Sequence, residues 1–84
     1  MSHFKIGEWG KFRNEFQRLL PNFPIIDLHD GWMSAANNYI TIDIIVFGKR
    51  LEKMYPEEWE YMSIRDIIVK HYGVEAMQLI ELAL

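Results

Sequence analysis

Two periodicities overlap in residues 38–56, and the fold depends on which one the backbone obeys. Ile40, Ile44, Phe47, Leu51, Met54 and Tyr55 fall at i, i+4, i+7, i+11, i+14 and i+15, one face of an α-helix. Ile40, Ile42, Ile44 and Val46 also alternate with Thr41, Asp43 and Ile45, as in a half-buried strand made attractive by β-branched residues. The helical pattern continues without a break to Tyr55, where Pro56 stops it, whereas the strand pattern ends at Gly48. Length therefore favours a helix over 39–55, opened by Asn37 or Asn38 as its cap. The alternative is a small α+β domain in which 39–47 is a strand.

The flanking segments read more simply. Trp9, Phe12, Phe16, Leu19 and Leu20 repeat at helical spacing, with Lys11, Arg13, Glu15 and Arg18 between them, so a first amphipathic helix ends at Pro21. Residues 21–37 form a long connection in which Asp30-Gly31 marks a turn. Phe23, Ile25, Ile26, Leu28, Trp32 and Met33 make it too apolar for a free linker, so it should lie across the core. Pro56 suits the first position of a short helix, with Glu57 and Glu58 at its positive end. Ser63-Ile64-Arg65-Asp66 has the form of a capping box, with Asp in place of Glu, for a helix that Gly73 closes. Residues 75–84 are strong helix formers and predict a terminal helix.

With 84 residues, half of them apolar, the chain makes one domain with a modest core, and some apolar surface should remain as a contact patch. A net charge of −3 is mild, and neither a nucleic-acid nor a membrane partner is expected. The longest uninterrupted apolar run, Ile44 to Phe47, is four residues, far short of a membrane span. No signal peptide is visible, and the absence of cysteine suits a reducing compartment, so a cytoplasmic location is expected.

Catalytic and metal signals are sparse. Asp27-Leu28-His29-Asp30 places three candidate ligands within four residues, but His3 and His71 lack a second ligand at i+3 or i+4, so a solvated turn is the expected reading. Ser34 lies near His29 and Asp30 without a nucleophile elbow around it, and the five glycines are too scattered for a phosphate loop. No metal, cofactor or enzymatic activity is expected. Lys49, Arg50 and Lys53 form a small basic patch, and Glu57, Glu58 and Glu60 form an acidic one.

With a helix over 39–55, the order of elements resembles the acyl carrier protein family. Thr41-Ile42-Asp43-Ile44 through Leu51-Glu52-Lys53-Met54-Tyr55 is similar to the family's Ser-Leu-Asp-Leu stretch, which ends in Leu-Glu followed by an aromatic. Met62-Ser63-Ile64-Arg65-Asp66-Ile67-Ile68 resembles the lead into its last helix. The resemblance implies an all-α fold, a small four-helix bundle with a long loop between helices 1 and 2. It also implies that Thr41 stands where carriers attach phosphopantetheine to a Ser preceded by Asp; here Ile40 precedes it. The family's second helix is acidic, whereas this one carries Lys49, Arg50 and Lys53. A degenerate carrier without the arm is therefore expected, acting as a protein-interaction module. Its contact residues would be Trp32, Val46, Lys49, Arg50 and Lys53, with self-association as one form of partnering. The alternatives are a small acidic inhibitor or immunity-type protein that binds and blocks a partner through Glu57, Glu58 and Glu60, and an atypical carrier modified at Thr41.

Overall fold

Asp43 decides how residues 38–56 fold. Its side-chain Oδ1 accepts hydrogen bonds from the Ile45 and Val46 amides at 3.0 and 3.3 Å, and helix α2 runs from there over Ile44–Met54. The four residues before the cap, Tyr39–Ile42, are a strand, β2. The expected helix over 39–55 is thus corrected at its start, and the alternative strand over 39–47 is corrected at its end. Both periodicities are real, and a carboxylate that satisfies two orphan amides sets the boundary between them.

The computed structural model describes residues 3–25 and 28–84. Among them, helix α1 spans Trp9–Leu19, strand β1 spans Met33–Ala36, and α3, α4 and α5 span Pro56–Trp59, Ile64–Tyr72 and Val74–Leu82. The domain is mostly helical with a small two-stranded sheet, so the all-α expectation does not hold. No described helix is long and apolar enough to cross a membrane.

The sheet is an antiparallel hairpin in which Ala36 pairs with Tyr39 and Met33 with Ile42. Its loop is Asn37-Asn38, with φ of 52° and 68°. Two successive positive-φ residues form the turn whose twist matches a hairpin, and Asn is the non-glycine residue that best tolerates this conformation. These asparagines, expected as a helix cap, are therefore the hairpin turn. Replacing Asn38 by Val should cost about 1–2 kcal/mol, because a β-branched side chain is strained at left-handed φ. A urea-unfolding midpoint unchanged by Asn38→Val would contradict this turn geometry.

β2 is the inner strand. The Ile40 amide donates to the Phe4 carbonyl and the Ile42 amide to the Ala83 carbonyl, each at 2.8 Å, so both chain ends cover the side that β1 leaves free. Ile40 is fully buried as a result. Phe12 and Phe16 of α1, Phe47 and Leu51 of α2, and Ile67 and Ile68 of α4 close the core around it.

The connection from α1 to β1 behaves as expected, with Phe23, Ile25 and Trp32 buried. Ser63 caps α4 by accepting the Asp66 amide at 3.1 Å, and Gly73, at φ 97°, makes the sharp turn into α5. Gly48 lets α2 approach α3 and α4 closely: a Cβ there would lie 3.0 Å from Ile64 Cδ1 and 3.1 Å from the Trp59 ring.

Candidate interaction surface

The outward face of α2 carries Val46, Lys49, Arg50 and Lys53, spaced i, i+3, i+4 and i+7, and these four line one shallow depression of about 390 Å³. A second cavity of about 220 Å³ adjoins it, lined by Asn22 and Pro24 from the connection and by Arg50, Lys53 and Met54 from α2. Arg50 and Lys53 belong to both, so the surface is a single groove with a cationic rim and apolar side chains along its walls.

Arg50 is held in place. Its Nη2 donates to Asp30 Oδ1 at 3.0 Å, and the Gly31 amide donates to the same oxygen at 3.1 Å. The Asp30 side chain is only 10% exposed, against 36% for Arg50. Asp30 Oδ2 is buried and finds no partner among the described residues. Removing Arg50 would leave a buried carboxylate uncompensated, so this pair fixes the Asp30-Gly31 turn against α2. Lys49 and Lys53 are exposed, and among the described residues neither has a carboxylate partner.

Trp32 contributes nothing to this surface. It is fully buried, with ring centroids 5.1, 5.3 and 5.4 Å from Phe16, Phe23 and Phe47, so the expectation that it contacts a partner is corrected. Thr41 lies inside β2 opposite Ser34, not at a helix start. Its hydroxyl donates to the Ser34 carbonyl at 3.3 Å and lies 3.3 Å from the Ser34 hydroxyl. Asp27, the first member of the Asp27–Asp30 cluster, lies outside the described residues. Among the described residues no group of three or more side chains is arranged to hold a metal.

The acidic patch divides. Glu58 is drawn into a cluster with His71, whose Nε2 lies 2.7 and 2.9 Å from its carboxylate oxygens, and with Lys70 at 3.4 Å. The His71 ring stacks on Tyr55 at 3.9 Å, and the Tyr55 hydroxyl meets that of Tyr72 at 2.7 Å. Burial, with the Tyr55 hydroxyl beside it, pushes the Tyr72 phenol well above its ordinary range. Sequence spacing could not reveal this cluster, because its members lie 13 and 17 residues apart and meet only when α4 folds back on α3. Glu57 and Glu60 have no cationic partner among the described residues.

Burial pushes the Glu58 carboxyl up, but the hydrogen bond and charge of His71, helped by Lys70, outweigh it and hold the group below its ordinary value of 4.5. A lowered carboxyl stabilises the fold above its unfolded pKa, and that contribution disappears as pH falls through the native one. Stability should therefore drop as pH falls from the carboxyl's ordinary value of 4.5 through the lowered native one, and Glu58→Gln should flatten part of that drop. Parallel urea-unfolding curves for the two proteins across this range would contradict the assignment.

No protein-family signature, curated protein or solved structure matches the chain.

Proposed function

We propose that this domain is a non-catalytic protein-interaction module whose α2 groove receives an acidic segment of a partner protein. The observation that carries this reading is the state of the three cations on the groove rim. Arg50 is fixed by Asp30, whereas Lys49 and Lys53 face solvent without a carboxylate among the described residues. Neighbouring like charges are an unfavourable arrangement for a free surface and a favourable one for receiving carboxylates. Val46, Pro24 and Met54 add apolar surface beside the rim, as the buried centre of a contact requires.

The resemblance to carrier domains rests on a helix over 39–55, and with Tyr39–Ile42 a strand the reading stands on α2 alone. With its hydroxyl engaged across the hairpin, Thr41 has no part in the proposal, and neither has a phosphopantetheine arm. A cytoplasmic setting fits a chain without cysteine. The acidic-inhibitor alternative is left with Glu57 and Glu60 alone, since Glu58 is engaged by His71 and Lys70.

The test is a fluorescence-anisotropy titration with a labelled peptide that alternates Glu with Leu or Phe. Replacing Lys49 and Lys53 by Glu removes two attractions and adds two repulsions, which at about 0.3–0.7 kcal/mol each weakens binding roughly ten- to a hundredfold. The same affinity for both proteins would remove α2 as the contact surface.

A further inference from the structure

We infer that the acidic segment received by the α2 groove belongs to a second copy of this chain; the inference rests on the reading of α2 proposed above. The chain carries the complement of its own groove. Glu57 and Glu60 lack a cationic partner among the described residues, and beside them stands Tyr61, at 72% the most exposed large hydrophobic residue described.

The backbone explains why these charges do not satisfy one another within the chain. Lys49, Lys53 and Glu57 are spaced i, i+4 and i+8, so in an unbroken helix Lys53 and Glu57 would pair. The helix breaks at Tyr55, with φ −133° and ψ 62°, and α3 starts anew at Pro56. Among the described residues no Lys53–Glu57 ion pair forms. The break therefore leaves a basic and an acidic surface side by side, each unsatisfied.

Their arrangement suits two-fold pairing. Met54 lines both the groove with Arg50 and Lys53 and a cavity lined by Tyr55, Pro56, Glu57 and Glu58. A two-fold axis near Met54 and Pro56 would bring the Lys49 and Lys53 of each copy toward Glu57, and with it Glu60, of the other. Both contacts form at once, and the assembly closes as a dimer rather than growing into a filament. The pairs are exposed and few, so the dimer is weak, salt-sensitive and concentration-dependent.

Sedimentation equilibrium on the intact chain at low and high salt tests this. At low salt the mass should rise from 10.1 kDa toward twice that value with concentration, and high salt should reverse the rise. Lys49→Glu with Lys53→Glu, and separately Glu57→Lys with Glu60→Lys, should each raise the dimer dissociation constant at least tenfold. Mixing the two variants should restore dimers, because one then carries two acidic surfaces and the other two basic ones. A wild-type chain that stays monomeric at millimolar concentration and low salt overturns the inference, as does a dimer indifferent to both reversals. The acidic-peptide titration on the Glu57→Lys, Glu60→Lys variant separates the two proposals, since its groove is unoccupied by a second copy. Peptide binding there, with a monomeric wild type, overturns self-pairing alone; no peptide binding overturns the α2 reading itself.

Discussion

Trp32→Ala should remove about half of the domain's stability. Trp32 has no exposed surface, and its ring meets Phe16, Phe23 and Phe47, joining α1, the long connection and α2. Removing a buried aromatic ring costs about 3–5 kcal/mol, through lost transfer free energy and the cavity left behind. A domain of this size has a total stability of roughly 5–10 kcal/mol, so about half of it would be lost. Trp32→Phe should be far milder. The indole Nε1 is buried and finds no acceptor among the described residues, so the shorter ring removes an unpaired donor, and about 1–3 kcal/mol of desolvation cost offsets part of the lost packing. Urea unfolding followed by near-UV circular dichroism distinguishes the two. Equal losses in both variants would contradict the role given to the indole nitrogen, and a wild-type urea midpoint for Trp32→Ala would contradict the core.

Gly48→Leu should cost about 3 kcal/mol or more and loosen α3 and α4 from α2. Even the first added carbon would stand 3.0 Å from Ile64 Cδ1 and 3.1 Å from the Trp59 ring, so a full side chain must push both aside. Overpacking of this kind costs about 1–3 kcal/mol, and here two elements must move together. Gly48→Ala tests the same contact more gently. Its helix-propensity gain of about 1 kcal/mol works against a displacement of a few tenths of an ångström, so stability should stay within about 1 kcal/mol of the wild type. Hydrogen exchange at the α4 amides reports whether α4 loosens. Wild-type protection in Gly48→Leu would show that the contact at Gly48 is not tight.

These two residues also show what the sequence alone could reveal. The helical spacing of Trp9, Phe12 and Phe16 announced α1, because burial on one face leaves a period that no neighbour alters. Ser63 and Gly73 announced the ends of α4, because caps act through local backbone groups. The basic face of α2 was legible for the same reason. Val46, Lys49, Arg50 and Lys53 share a face wherever the helix begins, provided it begins before Val46. Ile40 and Ile44 fitted a helix and a strand equally well, and for Ile40 the choice depended on distant partners: the Phe4 and Ala83 carbonyls on one side of β2 and β1 on the other. Local clues to the hairpin existed in Asn37-Asn38 and in Asp43, but Ser34, Ala35 and Ala36 are weak strand formers that hid β1. Trp32 shows a different limit. A tryptophan beside a glycine in a connection suits surface and core alike, and only the three aromatic rings around it decide between them. The Glu58–His71 cluster is a product of chain reversal, with no signature at short spacing.

The α2 groove is proposed as the surface that receives an acidic segment. The most direct test is an amide chemical-shift map of the isotope-labelled protein titrated with the acidic peptide, at a protein concentration low enough to keep it monomeric. Saturable shifts are expected, centred on Val46, Lys49, Arg50 and Lys53, extending to Asn22 across the groove and weakening as salt is added. Shifts centred on the hairpin or on α5, or no shifts at any peptide concentration, would contradict it.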